Sequence, residues 1–196
     1  MAKSVLITGG AKRLGQEMAL SLAEKGWAIA LHYRNSLEEA ESTREKIEKT
    51  GSDCKLFSTD LENPKEAVEM MKQVLLEFPD LDLLVHNASV FDESPLVSVD
   101  EEVFDRQFDV NFKSPFFMTQ QYINHCTSGH VVNILDTKIQ SNRAGRFTAY
   151  NLSKKAPFII ILIHDLFIPD QDIQIDGTWT ELWETPISSQ NILDSF

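Results

Sequence analysis

The sequence predicts an α/β fold built on a doubly wound parallel sheet. Two observations predict it. Through residues 1–150, apolar runs of strand length alternate with amphipathic helical patterns, and a glycine-rich turn joins the first run to the first helix. Hydrophobic residues make up 42% of 196, enough for one core. A single domain over residues 1–196 is expected, with an atypical, shortened tail at 157–196.

Val5, Leu6 and Ile7 begin the sheet. A helix follows from about Arg13, with Leu14, Met18 and Leu22 at a spacing of four, and Gly26 lies just past its end. Residues 27–33 are the second strand. Residues 36–49 form a polar, solvent-covered helix, in which Glu41 and Glu45 are a like-charge pair and Glu45 and Lys49 an opposite one. Residues 55–58 are a short third strand. Asn63, Pro64 and Glu66 then read as N-cap, first-position proline and capping-box acid of a helix burying Ala67, Met71, Val74 and Phe78. Strand four is 81–85. A long helix from about Glu101 towards Cys126 is expected to kink at Pro115, and strand five is 130–135.

Acids outnumber bases 30 to 18, and the resulting charge of −12 repels phosphate backbones, so nucleic acid is not an expected partner. Residues 157–196 hold seven acids and no Lys or Arg, which sets the tail apart. The longest apolar run, 158–163, falls far short of the roughly 20 residues a membrane span needs. Two cysteines, Cys54 and Cys126, make no disulfide framework, and no basic-flanked apolar segment opens the chain. A cytoplasmic protein without a membrane partner is expected. His125, Cys126 and His130 match no common ligand spacing, so no metal is expected, and His32, His86 and His164 are isolated.

Chemistry enters at residues 8–15, TGGAKRLG. Glycines let a backbone approach a pyrophosphate, and a helix N-terminus offers N–H groups and a positive dipole end. An ordinary tight turn is the alternative; the position after an opening strand favours nucleotide binding. A site that prefers NAD ends strand two with an acid, whereas here the residues are His32, Tyr33, Arg34, Asn35 and Ser36. Arg34, with Lys12 and Arg13 opposite, suits a 2′-phosphate, so NADPH is the expected cofactor; the alternative is a solvated strand-end charge. Tyr150 and Lys154 lie one turn apart on one helical face, where an ammonium is expected to lower the phenol's pKa.

These motifs resemble the short-chain dehydrogenases/reductases, and among them the pteridine reductases, over residues 1–156. Arg13 in TGGAKRLG, LHYRNS at 31–36 and NASVF at 87–91 carry the closer likeness. The resemblance implies a Rossmann-like fold and a cofactor site of Gly9, Arg13, Leu14, Gly15, Tyr33, Arg34, Asn35, Ser36, Asp60, Leu61, Asn87, Ala88 and Ser89, joined by Tyr150 and Lys154. It implies that Asp60 and Leu61 hold the adenine and that Phe91 stacks a pterin; the alternative for Phe91 is an apolar loop residue covering the sheet edge. By the same resemblance Tyr150 donates a proton, Lys154 reaches the nicotinamide ribose, and Asn111 orders a proton-relay water, unless it is a satisfied core asparagine. Asp136 stands where most relatives carry serine and would relay a proton to a ring nitrogen. It lies fourteen residues before Tyr150, one more than the family's interval, so Thr137 remains the alternative.

Family members continue into a sixth strand, a substrate lid and a closing strand. Residues 172–177 resemble that closing strand, but 21 residues between Lys154 and Asp176 leave no room for both a sixth strand and a lid. The fold is therefore expected to be incomplete at its C-terminal end. Pro157 leaves two options: a helix broken after Lys155 with 158–163 as a strand, or a kinked helix running on, the second being preferred. The expected function is NADPH-dependent reduction of a small pteridine (dihydropterin-like) or related carbonyl or imine substrate. A homo-oligomer, dimer or tetramer, is expected, joined through the helix ending near Cys126 and the Tyr150 helix. The alternatives are a catalytically impaired NADP-binding remnant or interaction module without the lid, and an aberrant product with a joined or misread C-terminus.

Overall fold

A computed structural model describes residues 2–136 and 145–164, with side chains as far as residue 157. The expectations for Thr137 and for the closing strand at 172–176 lie outside the described residues. Five parallel strands, β1 (Ser4–Ile7), β2 (Ala28–Tyr33), β3 (Cys54–Ser58), β4 (Leu83–His86) and β5 (His130–Asn133), stand in the order β3-β2-β1-β4-β5. The central strands β1 and β4 are buried at every position, which is why their sequences read as continuous runs and not as alternations.

Helices α1 (Arg13–Glu24) and α2 (Leu37–Lys49) pack Met18, Leu22 and Ile47 against Val5, Ile7 and Leu31. On the other side α3 (Pro64–Glu77) and α5 (Ser114–His125) pack Met71, Val74, Met118 and Tyr122 against Leu6 and Leu84. The two layers make the sheet doubly wound, as expected. Each buried Leu or Ile in these layers stabilises the fold by about 1.5–3 kcal/mol relative to exposure.

Several elements depart from the sequence reading. Leu14 is 38% exposed and leaves the apolar stripe of α1. The helix α2 is polar only on its outer side, since Ala40, Thr43 and Ile47 are buried, and its charge pairs are Arg44 with Glu41 and Glu48. Asn63 caps α3 by accepting from the N–H groups of Lys65 (3.2 Å) and Glu66 (3.4 Å), but Glu66 closes the box on the Asn63 side-chain amide (2.8 Å).

The long helix is three pieces: α4 (Glu101–Phe108), a π-helical turn at Asp109–Lys113, and α5. Pro115 has no N–H for the carbonyl four residues back and its ring crowds it, so the turn just before it widens. The irregularity expected at Pro115 takes the form of this π-helical turn at Asp109–Lys113. Helix α6 (Thr148–His164) runs through Pro157, the preferred of the two options. No described helix is long and apolar enough to cross a membrane.

Candidate functional site

The chain winds outward from β1 in one direction and resumes at β4 in the other. The loops leaving β1 and β4 therefore part at a switch point, where parallel sheets bind ligands. Thr8 ties the two loops: its hydroxyl donates to the Val85 carbonyl (3.2 Å) and accepts from the N–H groups of Asn87 and Ala88, both at 3.0 Å. The Asn87 amide returns two bonds, to the carbonyls of Thr8 (2.9 Å) and Gly9 (3.2 Å).

Gly9 takes φ +65°, and a Cβ on Gly15 would lie 2.4 Å from the Gly9 carbonyl oxygen, so α1 closes onto the turn only through glycine. Arg13 takes φ +52°, a left-handed conformation that costs a side-chain-bearing residue about 1–2 kcal/mol. A cleft of ≈ 430 Å³ opens here and brings together Gly9, Arg13, Leu14, Gly15, Arg34, Asp60, Leu61, Asn87, Ala88 and Ser89 of the expected set. Tyr33, Asn35 and Ser36 are not among its lining residues: Tyr33 packs on the core, and Ser36 sits at the N-cap of α2.

The donor set suits a dinucleotide carrying a 2′-phosphate. Among the described residues no side chain caps the N-terminus of α1, and Lys12, Arg13 and Arg34 supply positive charge at the cleft. Two of these cations have carboxylate neighbours: Lys12 pairs with Glu39, and Arg34 with Glu62 at 2.7 Å and Asp60 at 3.7 Å.

Beyond the cleft, the Tyr150 hydroxyl donates to Asp136 Oδ2 at 2.8 Å. Tyr150 is buried, and Phe91 meets it edge-on at 4.6 Å. The other face relation of Phe91 is a stack on Phe147 at 4.3 Å. Lys154, also buried, donates to the Ile134 carbonyl at 3.0 Å. Burial pushes its ammonium down to about 8, opposed by the Asp136 charge.

The phenol behaves opposite to expectation. Burial, then the hydrogen bond to Asp136 and its charge, hold the Tyr150 pKa well above the ordinary value, with a Ser89 hydrogen bond opposing them. Lys154 donates to the Ile134 carbonyl, so burial and the Asp136 carboxylate, not the lysine, set the phenol's proton affinity.

Asn111 lies in the π-helical turn and is buried among protein partners. Its amide nitrogen shares two N–H donors among the Val90 carbonyl (3.0 Å), Ser153 Oγ (3.0 Å) and Gln107 Oε1 (3.2 Å), while its oxygen accepts from Ser89 Oγ and Val90 N–H, both at 3.0 Å. The side chain thus clamps the loop after β4 to α6.

Comparison with known proteins now identifies the scaffold, because the model of the short chain dehydrogenase family matches residues 3–166. The chain belongs to the short-chain dehydrogenase family. It is 30% identical over 189 residues to the short chain dehydrogenase mdpC of Emericella nidulans, covering 92% of this chain and 71% of that protein. It is 33% identical over 137 residues to the 3-oxoacyl-[acyl-carrier-protein] reductase FabG of Staphylococcus aureus, covering 68% of this chain. The match spans 56% of that reductase's length. Among solved structures, the FolM alternative dihydrofolate reductase 1 from Brucella canis, complexed with NADP, superposes with a TM-score of 0.81 at 30% identity. That superposition covers 88% of this chain and 71% of FolM.

Within this short-chain dehydrogenase two site residues escaped the sequence reading. His32, taken as isolated, is buried in the cleft wall; its Nδ1 accepts from the Gly9 N–H (3.1 Å), so Nε2 carries the proton and donates to the Thr59 carbonyl (3.0 Å). Burial lowers its pKa to about 4, against the Thr59 bond and Asp60, and keeps this neutral tautomer at neutral pH. Glu62 was not singled out, though it accepts from two arginines. A polar residue inside an otherwise apolar strand was the available signal for His32; Glu62 offered none.

Proposed function

We propose that this chain is an NADPH-dependent reductase of a pteridine (dihydropterin-like) or related carbonyl or imine substrate. The observation that carries the reading is the Tyr150–Asp136 hydrogen bond beside Phe91, next to a cleft with a glycine turn and three cations. The likeness to FolM, an alternative dihydrofolate reductase complexed with NADP, supports both the cofactor and the substrate class.

When bound, the nicotinamide supplies the hydride. Arg13, Leu14, Gly9 and Gly15 would hold the pyrophosphate, Arg34 the 2′-phosphate, and Asp60 and Leu61 the adenine. Asn87, Ala88 and Ser89 would face the nicotinamide half. Tyr150 holds a proton at neutral pH; its hydroxyl would turn from Asp136 to deliver that proton to the substrate, and Asp136, having taken a proton from solvent, would return it to the phenolate. Lys154 keeps a positive charge behind Tyr150. Asn111 acts through its clamp on Val90 and Ser153, and Phe91 offers a ring for stacking. Association through α5 and α6 and a cytoplasmic location belong to the same proposal. Exposed Phe116 and Leu152 support the first, and the free, buried Cys54 and Cys126 the second.

The test is NADPH oxidation by the purified chain, offered a dihydropterin, dihydrofolate and a simple ketone in parallel. Turnover of the pterins that disappears in Tyr150→Phe is the expected result. Tight NADPH binding with no turnover of any substrate would instead leave a cofactor-binding remnant.

A further inference from the structure

The corner proposed for the 2′-phosphate shares a carboxylate oxygen with a distant helix. Glu62 Oε1 accepts from Arg34 Nη1 at 2.7 Å and from Arg106 Nε at 2.8 Å. Arg34 follows β2, whereas Arg106 belongs to α4 and also donates to Asp92 Oδ2 at 3.0 Å. All four side chains are about one-third exposed or more, so any one pair taken alone contributes little. What distinguishes this group is that two guanidinium groups converge on a single oxygen. The oxygen accepts from both at once, and each guanidinium it holds reduces the negative charge it presents to the other.

Arg34 faces the cleft together with Asp60, and a dianionic phosphate arriving there has to draw Arg34 away from Glu62 and to tolerate the carboxylate's charge. A ribose carrying only a hydroxyl meets neither demand. Glu62 therefore opposes the phosphorylated cofactor selectively. Arg106 moderates that opposition, since it holds the same oxygen and neutralises it.

We infer that Glu62 is a specificity-determining residue, a competitor for Arg34 that sets how far the site prefers NADPH over NADH, and that Arg106 is the positioning residue that governs its grip. The inference rests on the NADPH reading above.

The experiment measures dissociation constants for NADPH and NADH, by titration calorimetry at one ionic strength, on the full chain and four variants. Glu62→Gln should tighten NADPH by about fivefold and leave NADH unchanged. Arg106→Ala should weaken NADPH by about threefold, again sparing NADH, because Glu62 then turns wholly to Arg34. In the Glu62→Gln, Arg106→Ala double variant the second change should do nothing further, since Arg106 acts through Glu62. Arg34→Ala should abolish the preference.

An unmoved NADPH-to-NADH ratio in Glu62→Gln overturns the inference. So does an Arg106→Ala penalty of equal size in the Glu62→Gln background, which would make Arg106 a plain neighbouring charge. If the ratio also falls to one in Arg34→Ala, the NADPH reading survives and only the role of Glu62 is lost. A chain that shows no preference to begin with, unchanged by Arg34→Ala, removes both.

Discussion

The Tyr150 hydroxyl gives its hydrogen to Asp136 Oδ2 across 2.8 Å, and the partner it does not have is Lys154, whose ammonium points to the Ile134 carbonyl. A phenol hydrogen-bonded to a carboxylate is a phenol that keeps its proton. The pair stores the proton that a reduction consumes, and its delivery requires the hydroxyl to leave Asp136 for the substrate.

Removing that hydroxyl should abolish chemistry while sparing the scaffold. Tyr150→Phe is expected to lower kcat by about 10²–10⁴-fold. NADPH affinity and the melting temperature should stay close to those of the parent. Asp136→Ala should lower kcat strongly and Thr137→Ala should not; the reverse order, read by steady-state kinetics, would transfer the role to Thr137.

The cofactor expectation is tested by thermal shift. NADPH should raise the melting temperature more than NADH at equal concentration, because only the first engages Arg34 with a phosphate. Arg34→Asp should invert the order, since a carboxylate repels the phosphate and accepts from a ribose hydroxyl.

Arg13 offers a trade between stability and binding. With φ at +52°, Arg13→Gly should relieve strain of about 1–2 kcal/mol, less the larger freedom glycine has in the unfolded chain, for a net gain up to about 1 kcal/mol. The melting temperature should rise by about 2–4 °C while NADPH affinity falls. A lower melting temperature would show that the guanidinium is worth more to the fold than its backbone costs.

Lys154 gives a pH dependence whose sign follows from burial. Its pKa falls from 10.5 to about 8 in the folded chain, so folding disfavours the ammonium. The penalty is present in full below about pH 8 and vanishes as pH rises towards 10.5, where the unfolded chain also loses the proton. Between those limits the unfolded state binds more protons and the wild type gains stability relative to Lys154→Met, by on the order of 3 kcal/mol across the window. Denaturant midpoints for both proteins, measured from pH 7.5 to 10.5, check it; a constant difference would place the lysine's folded pKa at its ordinary value.

What the sequence disclosed is what local chemistry determines. The alternation of runs announced the five strands, Asn63 and Pro64 announced the start of α3, and Tyr150 with Lys154 announced the face of α6. What it withheld depends on partners far along the chain. Glu62 meets Arg106 across 44 positions and Phe91 stacks on Phe147 across a gap longer still, and neither encounter leaves a trace in periodicity. The phenol's proton affinity was misjudged for the same reason: helical spacing places Lys154 one turn from Tyr150 but discloses neither the burial of the phenol nor the carboxylate it meets. His32 was passed over because a lone histidine carries no pattern, although its two ring nitrogens are both used.

The π-helical turn at Asp109–Lys113 holds one backbone residue more than an α-helical turn of the same height, and the excess is absorbed within that turn. Deleting one residue there would let the turn close as an ordinary α-helical one, with Met118 and Tyr122 of α5 kept on the sheet. Asn111 would lose the widened turn from which it reaches both Val90 and Ser153. The core should survive that deletion and the clamp should not, so the extra residue serves the site and not the packing.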